Sequence, residues 1–207
     1  MSRRRVLLAT RSAGKLRELR ALAERADWDV VDLREAGIVM APEEDGVEAF
    51  DTFEANALAK ARYFLARSGG LPVVADDSGL EVAALGGAPG VRSKRWSGRT
   101  DLTGEALDEA NNALLLERLR GVEDRQARYV CVAVYADGAR EVVVRGETAG
   151  RIAERRHGGT GGFGYDPYFE SVELGCAFSE VGPPEKASVS HRGRAFRALL
   201  NAVANGS

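Results

Sequence analysis

Two adjacent carboxylates, Asp76 and Asp77, close a short apolar run and are followed by Ser78 and Gly79. The run, 71–74, lies between glycines and predicts a buried strand. Since side chains alternate between the two faces of a strand, only one of the two acids can point into a given cleft. A carboxylate at a strand end beside a hydroxyl suits a hard divalent cation such as magnesium, but an Asx-type turn after an edge strand accounts for the same residues.

A second group of acids, Glu43, Glu44 and Asp45, lies between Pro42 and Gly46. Taken alone, this segment predicts a solvated acidic loop. One of its acids acting together with Asp77 would give a metal ion two anionic ligands, and would leave positions for water and phosphate oxygens.

The first predicted strand and the first predicted helix are joined by a loop of small and polar residues. The loop consists of Thr10, Arg11, Ser12, Ala13, Gly14 and Lys15. Backbone N–H groups at a helix N-terminus favour an anion, and the lysine adds a full positive charge. The loop is not a Walker A motif, because Leu16 follows the lysine. An ordinary turn with a solvated lysine is the alternative interpretation.

A glycine-rich loop over 158–167 contains Phe163, Tyr165 and Asp166. Glycine tolerates positive φ and lets the backbone approach a ligand closely. The two aromatic rings could stack on a planar base, and the carboxylate could accept a hydrogen bond. The loop could equally be a flexible connector whose aromatic side chains fold back onto the core.

The start of the last predicted helix is rich in polar side chains, with Ser190, His191 and Arg192 in succession and Lys186 just before them. A hydroxyl, an imidazole and a guanidinium at a helix start form a recognition patch for a polar ligand. Solvated surface residues are the alternative. The spacing of the two histidines and two cysteines matches no zinc site.

The elements that position these groups follow from hydrophobic periodicity and turn residues. Strands are predicted over 6–9, 29–33 and 73–75, and helices over 15–25, 51–66, 103–120 and from Ser190 onward. The helix over 51–66 begins with a capping box of Asp51 and Glu54 and carries Asn56 and Lys60 on one face. Two Val- and Tyr-rich segments flank Asp137-Gly138, which is typical of a β-hairpin. The predicted fold class is α/β with a mixed sheet.

The composition limits the function classes. The 207 residues are 44% hydrophobic and 29% charged, which fits one large globular domain or two lobes. A net charge of -2 argues against a general nucleic-acid binder, and no apolar stretch is long enough for a membrane span or a signal peptide. Two unpatterned cysteines predict reduced thiols and a cytoplasmic location.

In order along the chain, these segments resemble the inosine triphosphate pyrophosphatase family, which hydrolyses noncanonical purine nucleoside triphosphates. The resemblance covers nearly the whole chain. Its segments are 10–15, 43–46, 53–57 with Lys60 and Ala61, 76–80, 86–91, 159–167, Glu185-Lys186 and 190–193. The chain departs from the family pattern after Thr10, where Arg11 and Ser12 replace a small residue and an asparagine.

The resemblance implies one domain over residues 1–207, with an elongated mixed sheet, flanking helices and two lobes around a central cleft. It also implies a homodimer, dependence on Mg²⁺, and release of pyrophosphate and a nucleoside monophosphate from ITP, dITP or XTP. Neither a nucleic-acid nor a membrane partner is expected.

The resemblance also implies a role for each matching residue. Asp77 is expected to be the general base and a metal ligand, with Glu43 as a second metal ligand. The expected phosphate ligands are Thr10, Arg11, Ser12, Ala13, Gly14, Lys15, Lys60, Ser78 and Lys186. The expected base ligands are Phe163, Gly164, Tyr165, Asp166, His191 and Arg192. Two alternative functions are a pyrophosphatase for modified pyrimidine nucleotides and a nucleotide-binding module without catalysis.

Overall fold

The computed structural model describes residues 4–24, 26 and 28–205. The described residues form six strands and five α-helices. The strands are β1 (Arg4–Leu8), β2 (Trp28–Asp32), β3 (Val73–Val82), β4 (Gln126–Ala136), β5 (Glu141–Ile152) and β6 (Phe169–Ser171). The helices are α1 (Ala13–Glu24), α2 (Phe53–Leu65), α3 (Gly104–Arg118), α4 (Pro183–Val189) and α5 (His191–Asn205). Arg25, the predicted end of the first helix, lies outside the described residues.

One sheet contains all six strands in the order β2-β1-β3-β4-β5-β6. Strand β1 is parallel to both of its neighbours, with Leu7 opposite Val31 in β2 and Leu8 opposite Val74 in β3. Strand β5 is antiparallel to β6. Parallel neighbours need crossover connections, which here contain α1 and α2. The sheet is therefore mixed, and the predicted α/β class is confirmed.

Strand β3 is longer than the sequence indicates. The predicted strand ends at Ala75 and is followed by a turn, whereas β3 continues through Asp76, Asp77 and Ser78 to Val82. The prediction of a turn at this point was wrong. Aspartate and glycine are disfavoured in strands, but this is a weak preference that tertiary contacts override. Both carboxylates are buried, with 2% and 8% of their surface exposed, so neighbouring polar groups must replace water around them.

The chain forms two compact units, and β3, β4 and β5 each continue from one into the other. The first unit consists of the chain up to Asp77, Cys131–Gly146 and the chain from Arg192. Its core contains the three apolar residues of β1, the inner faces of α1 and α2, and Phe196 and Leu199 of α5. The Trp28 ring lies edge-on to Phe196, with 6.1 Å between centroids.

The second unit consists of Ser78–Val130 and Glu147–His191. Its core is a single cluster of buried side chains. The largest members are Leu80, Leu115, Leu119, Tyr129, Ile152, Tyr165, Phe169 and Phe178. The hairpin strands β4 and β5 extend to residues 126 and 152, because each continues into this unit.

Helix α2 carries the polar side chains that matter below. Its N-cap is Thr52, whose Oγ1 accepts a hydrogen bond from the N–H of Ala55 at 3.1 Å, so the predicted cap at Asp51 is one residue early. Asn56 and Lys60 are buried together with the apolar residues of the helix. In the described part of the chain, no helix is long and apolar enough to cross a bilayer.

Gly150 in β5 tests the packing of the second unit. A Cβ atom added there would lie 2.4 Å from Cζ of Phe169 and 2.5 Å from the carbonyl oxygen of Glu170. We expect Gly150→Ala to lower the free energy of unfolding by about 1–3 kcal/mol, because overpacking forces neighbouring atoms to move. Gly46→Ala is the control, since no atom lies within 4 Å of its added Cβ and its φ is not positive. Equal denaturant midpoints for the two variants would contradict this packing.

Candidate active site

The buried carboxylate of Asp76 lies among cationic side chains in the first unit. Oδ2 of Asp76 is 3.0 Å from Nζ of Lys15 and 3.5 Å from Nε of Arg192. Burial opposes ionisation of this group, but the positive charges of Lys15, Arg192 and Lys60 outweigh it and hold the pKa of Asp76 well below its ordinary value. Asp76 is therefore a fixed anion that orders the cations around it.

Arg192 at the start of α5 has a second acidic partner. Its Nη1 donates to the carboxylate of Glu18 in α1, and only 4% of the residue surface is exposed. Burial opposes the charge, but Glu18 and Asp76 together raise the pKa of Arg192. The guanidinium thus links α1, β3 and α5. The sequence identified Arg192 as a ligand-binding residue but did not indicate either acid as its partner.

Asp77 has a different environment from its neighbour. The side-chain amide of Asn56 donates to Oδ2 of Asp77 at 3.0 Å, and the backbone N–H and C=O of Phe50 fix that amide at 2.9 and 3.1 Å. Burial raises the pKa of Asp77, and the charge of Glu48 adds to this effect, although Lys15 and Lys60 act against it. A carboxylate with a raised pKa is a better proton acceptor.

Lys60 is buried and pairs with an acid that the sequence analysis missed. Its Nζ is 2.5 Å from Oε1 of Glu48. Burial opposes the charge, but Glu48, Asp76 and Asp77 raise the pKa of Lys60, which therefore remains an ammonium ion. Glu48 lies just beyond the predicted acidic segment, and its position twelve residues before Lys60 gave no local signal. Only the fold brings the two together.

The acidic segment forms a 3-10 helix, Pro42–Gly46, in which Glu43 is exposed. Glu44 binds Arg11 in the loop before α1, with Nε and Nη2 at 3.1 and 2.8 Å from its two carboxylate oxygens. Nη1 of Arg11 also donates to the carbonyl of Ile38 at 3.0 Å. Arg11, which departs from the family pattern, therefore holds the acidic segment against the predicted phosphate loop.

The rest of the predicted phosphate loop is ordered by its own hydroxyls. The N–H of Ser12 donates to Oγ1 of Thr10 at 3.2 Å, and the N–H of Lys15 donates to Oγ of Ser12 at 3.4 Å. Ala13 and Gly14 open α1. The loop and Lys15 are thus placed at a helix N-terminus, as the sequence predicts.

The predicted base-binding residues belong mainly to the second unit. Oδ2 of Asp166 accepts from the N–H of Phe163 at 2.6 Å and from Nζ of Lys186 at 2.7 Å. The Lys186 ammonium also lies 5.2 Å from the centroid of the Phe163 ring. Gly162 allows this arrangement because it adopts φ +74° and a Cβ atom there would lie 2.1 Å from Oδ2 of Asp166. Lys186, predicted as a phosphate ligand, is therefore bound to the glycine-rich loop, which is predicted to bind the base.

Two further predicted residues are packed into the core of the second unit. Tyr165 is buried, and its hydroxyl donates to the carbonyl of Ser93 at 2.7 Å. The His191 ring stacks on Tyr129, with 4.5 Å between centroids and 9° between planes.

The other predicted ligands of this unit are partly accessible. Ser78, at the start of this unit, is half-buried in β3. Phe163 and Gly164 are also half-buried.

Comparison with known proteins places the chain in a family. The sequence model of the Ham1 family matches residues 6–202. The chain belongs to the Ham1 family. The match extends from the first strand to the last helix, so both units lie within it.

Individual relatives agree with this assignment. A protein of Thermus thermophilus named dITP/XTP pyrophosphatase is 47% identical over 98% of this chain and 93% of its own length. A protein of the same name from Mycolicibacterium paratuberculosis is 49% identical over 96% of this chain and 95% of its own length. The solved Ham1 protein of Staphylococcus aureus has a TM-score of 0.81 and 32% identity, over 98% of this chain and 100% of the other. The resemblance inferred from the sequence is thus confirmed.

The charge network around Asp76 makes stability depend on pH. We expect Asp76→Asn to lower the free energy of unfolding by about 3–5 kcal/mol near pH 7, because breaking a buried ion pair leaves uncompensated charge. The pKa of Asp76 is lowered on folding, so its contribution is present above the unfolded-state pKa of 3.8 and is lost as the pH falls toward the folded-state value. The difference in the free energy of unfolding between wild type and Asp76→Asn should therefore become smaller below about pH 4.

Chemical denaturation between pH 2 and pH 7 measures this difference. Asp29→Asn is the control, because Asp29 is exposed and pairs with the exposed Arg5 at 3.6 Å. Its effect should stay within about 0.5 kcal/mol. A difference between wild type and Asp76→Asn that is the same at every pH would show that Asp76 is not the ionised centre of the network.

Proposed function

We propose that the chain hydrolyses noncanonical purine nucleoside triphosphates, namely dITP, XTP and ITP, to the nucleoside monophosphate and pyrophosphate, and so removes them from the nucleotide pool. The observation that carries the proposal is the position of Asp77, a buried carboxylate that Asn56 holds at 3.0 Å and on which the charges of Lys15 and Lys60 act. A proton acceptor near two cations suits the attack of water on a phosphate. The names of the relatives support the same substrates.

A divalent metal ion fits this arrangement. Among the described residues, no three or more His, Cys, Asp or Glu side chains are arranged to hold a metal. Mg²⁺ does not require such a cluster, since it is usually bound by one or two carboxylates, water and substrate phosphates. The carboxylates of Asp77 and Glu43 offer hard oxygen donors of the kind that Mg²⁺ prefers. We propose Asp77 and Glu43 as the metal ligands, as the resemblance implies.

Each of the proposed active-site residues has a separate role in the reaction. Asp77 accepts the proton of the attacking water, and Asn56 orients its carboxylate. Lys15, Lys60 and the N–H groups of Ala13 and Gly14 at the start of α1 bind phosphate oxygens and meet the charge that develops on the leaving pyrophosphate. The metal, when bound, neutralises further charge on the phosphates.

Base recognition is proposed for the residues of the glycine-rich loop and for His191, all of which belong to the second unit, and a role of Arg192 stays a prediction. Hypoxanthine and xanthine carry an oxygen at C6, where adenine carries an amino group, so hydrogen-bond donors at this position reject adenine. The pairing of Lys186 with Asp166 at 2.7 Å supports a place for Lys186 beside the base rather than the phosphates. A single domain with two lobes around a cleft, a homodimer and a cytoplasmic location stay predictions.

Replacement of Asp77 tests the proton acceptor. We expect Asp77→Asn to fold and to lose about 10²–10⁴ in kcat, because an amide cannot accept the proton. Release of pyrophosphate from ITP measures the rate, with and without EDTA, and circular dichroism checks the fold. Asp101→Asn, on an exposed side chain paired with Arg99 at 2.6 Å, should keep wild-type activity. Near wild-type turnover of Asp77→Asn would refute the assignment.

Substrate preference separates the proposed function from its alternatives. Side by side, ITP, dITP and XTP should be hydrolysed with a kcat/KM about 10²-fold or more above that for ATP or dUTP, because a mismatched donor is left buried and unpaired. A higher value for dUTP would instead indicate a pyrimidine nucleotide pyrophosphatase. Equilibrium binding of ITP without pyrophosphate release in Mg²⁺ would indicate a non-catalytic module.

A further inference from the structure

Helix α3 holds both backbone polar groups of Gly164 in the base-recognition loop. Oδ2 of Asp108 accepts a hydrogen bond from the Gly164 N–H at 2.9 Å. Nδ2 of Asn112 donates to the Gly164 carbonyl at 3.0 Å. Asp108 and Asn112 are four residues apart and so lie on the same face of the helix. Neither residue belongs to a sequence motif, and neither was identified from the sequence.

Asn112 is an unfavourable choice for stability alone. Only 5% of its surface is exposed, and its Oδ1 is buried without a hydrogen-bond partner among the described residues. Burial of an unpaired amide oxygen costs free energy that a leucine of similar size would not lose. The bond to Gly164 is the interaction that a leucine could not replace.

Asp108 is also held at an electrostatic cost. Burial raises its pKa, and the negative charge of Asp166 raises it further, although the hydrogen bond from Gly164 acts in the opposite direction. Two carboxylates therefore lie near each other at this loop, and each binds a backbone N–H of consecutive residues: Asp166 binds Phe163, and Asp108 binds Gly164.

These contacts define the shape of the loop beside the proposed base site. Gly164 adopts φ +65°, and Asp108 and Asn112 bind its N–H and its C=O. The N–H of Phe163 is fixed by Asp166, whose carboxylate also binds Lys186. A change at Gly164 would therefore move the Phe163 ring, on which the base is proposed to stack.

We propose that Asp108 and Asn112 are positioning residues for purine selectivity, which act by fixing Gly164 and the adjoining Phe163 against α3. The inference rests on the proposed function, because it gives the loop its ligand, a 6-oxopurine nucleotide. Neither residue acts on the phosphates, so loss of either changes binding of the base and leaves the chemical step intact.

Asn112→Leu tests the carbonyl contact. We expect the KM for ITP to rise about 5- to 10-fold, the worth of about one hydrogen bond, with kcat within about twofold of wild type. The preference for ITP over ATP should fall by a similar factor. Asn111→Leu is the matched control. Asn111 is equally buried on the same helix, but it accepts from the N–H of Ser97 at 2.8 Å and donates to the carbonyl of Lys94 at 3.1 Å.

Asp108 allows a conservative rescue. Asp108→Asn keeps an oxygen that can accept from the Gly164 N–H and should keep a KM for ITP within about twofold of wild type, whereas Asp108→Ala should raise it about 5- to 10-fold. A purely structural role predicts instead that KM follows the loss of stability in every variant, including Asn111→Leu.

Amide hydrogen exchange measures the contacts independently of activity. Asn112→Leu and Asp108→Ala should accelerate exchange in the 159–166 segment, and Asn111→Leu should accelerate it only around 94–97. Unchanged exchange in the loop would show that Asp108 and Asn112 do not fix Gly164. Faster exchange with unchanged KM and selectivity would show that fixing Gly164 has no role in recognition of the base. If the wild type releases no pyrophosphate from ITP, the proposed function fails. The exchange data together with Kd values for inosine monophosphate then decide the positioning role.

Discussion

The pairing of one buried carboxylate, Asp76, with Lys15 and Arg192 is the interaction on which the first unit depends. It joins β3 to α1 and to α5, which are far apart in sequence. A buried charge of this kind is stable only while its partners stay in place, since removal of one leaves another uncompensated. The position of Lys15 at the N-terminus of α1 is therefore set by the centre of the sheet and not by the loop alone.

The same constraint explains why two neighbouring acids differ. Asp76 and Asp77 are adjacent in a strand, so their side chains point to opposite faces. Asp76 is close to Lys15 and Arg192 and its pKa falls, whereas burial dominates at Asp77 and its pKa rises. Pairs of titratable groups whose environments separate their pKa values are typical of acid–base chemistry. The strand that continues through both residues is thus what distinguishes their roles.

The sequence predicts the elements better than the contacts. The hairpin around Asp137-Gly138 and the helices α1, α2, α3 and α5 have local signals, namely turn residues and hydrophobic periodicity, and these predictions are confirmed, whereas the short helix α4 was not predicted. The end of β3 was misjudged because the polar partners of Asp76 that override strand propensity come from distant segments. Glu48 and Asn112 were missed for the same reason: each is an ordinary polar residue until the fold places it beside Lys60 or Gly164. The proposed roles of residues such as Glu43 stay predictions.

The exposure of the acids indicates which of them an incoming anion can replace. The cations Lys15, Lys60 and Arg192 each have an acidic neighbour. The Asp76 side chain is 2% exposed, whereas that of Glu48 is 38% exposed. Displacing the carboxylate of Asp76 would require rearrangement of β3, whereas the partly exposed side chain of Glu48 can turn toward water. Lys60 itself is buried, so its charge then needs another anion in place of Glu48. In the proposed function, a phosphate that binds Lys60 would take the place of Glu48, while Asp76 would keep Lys15 and Arg192 in place.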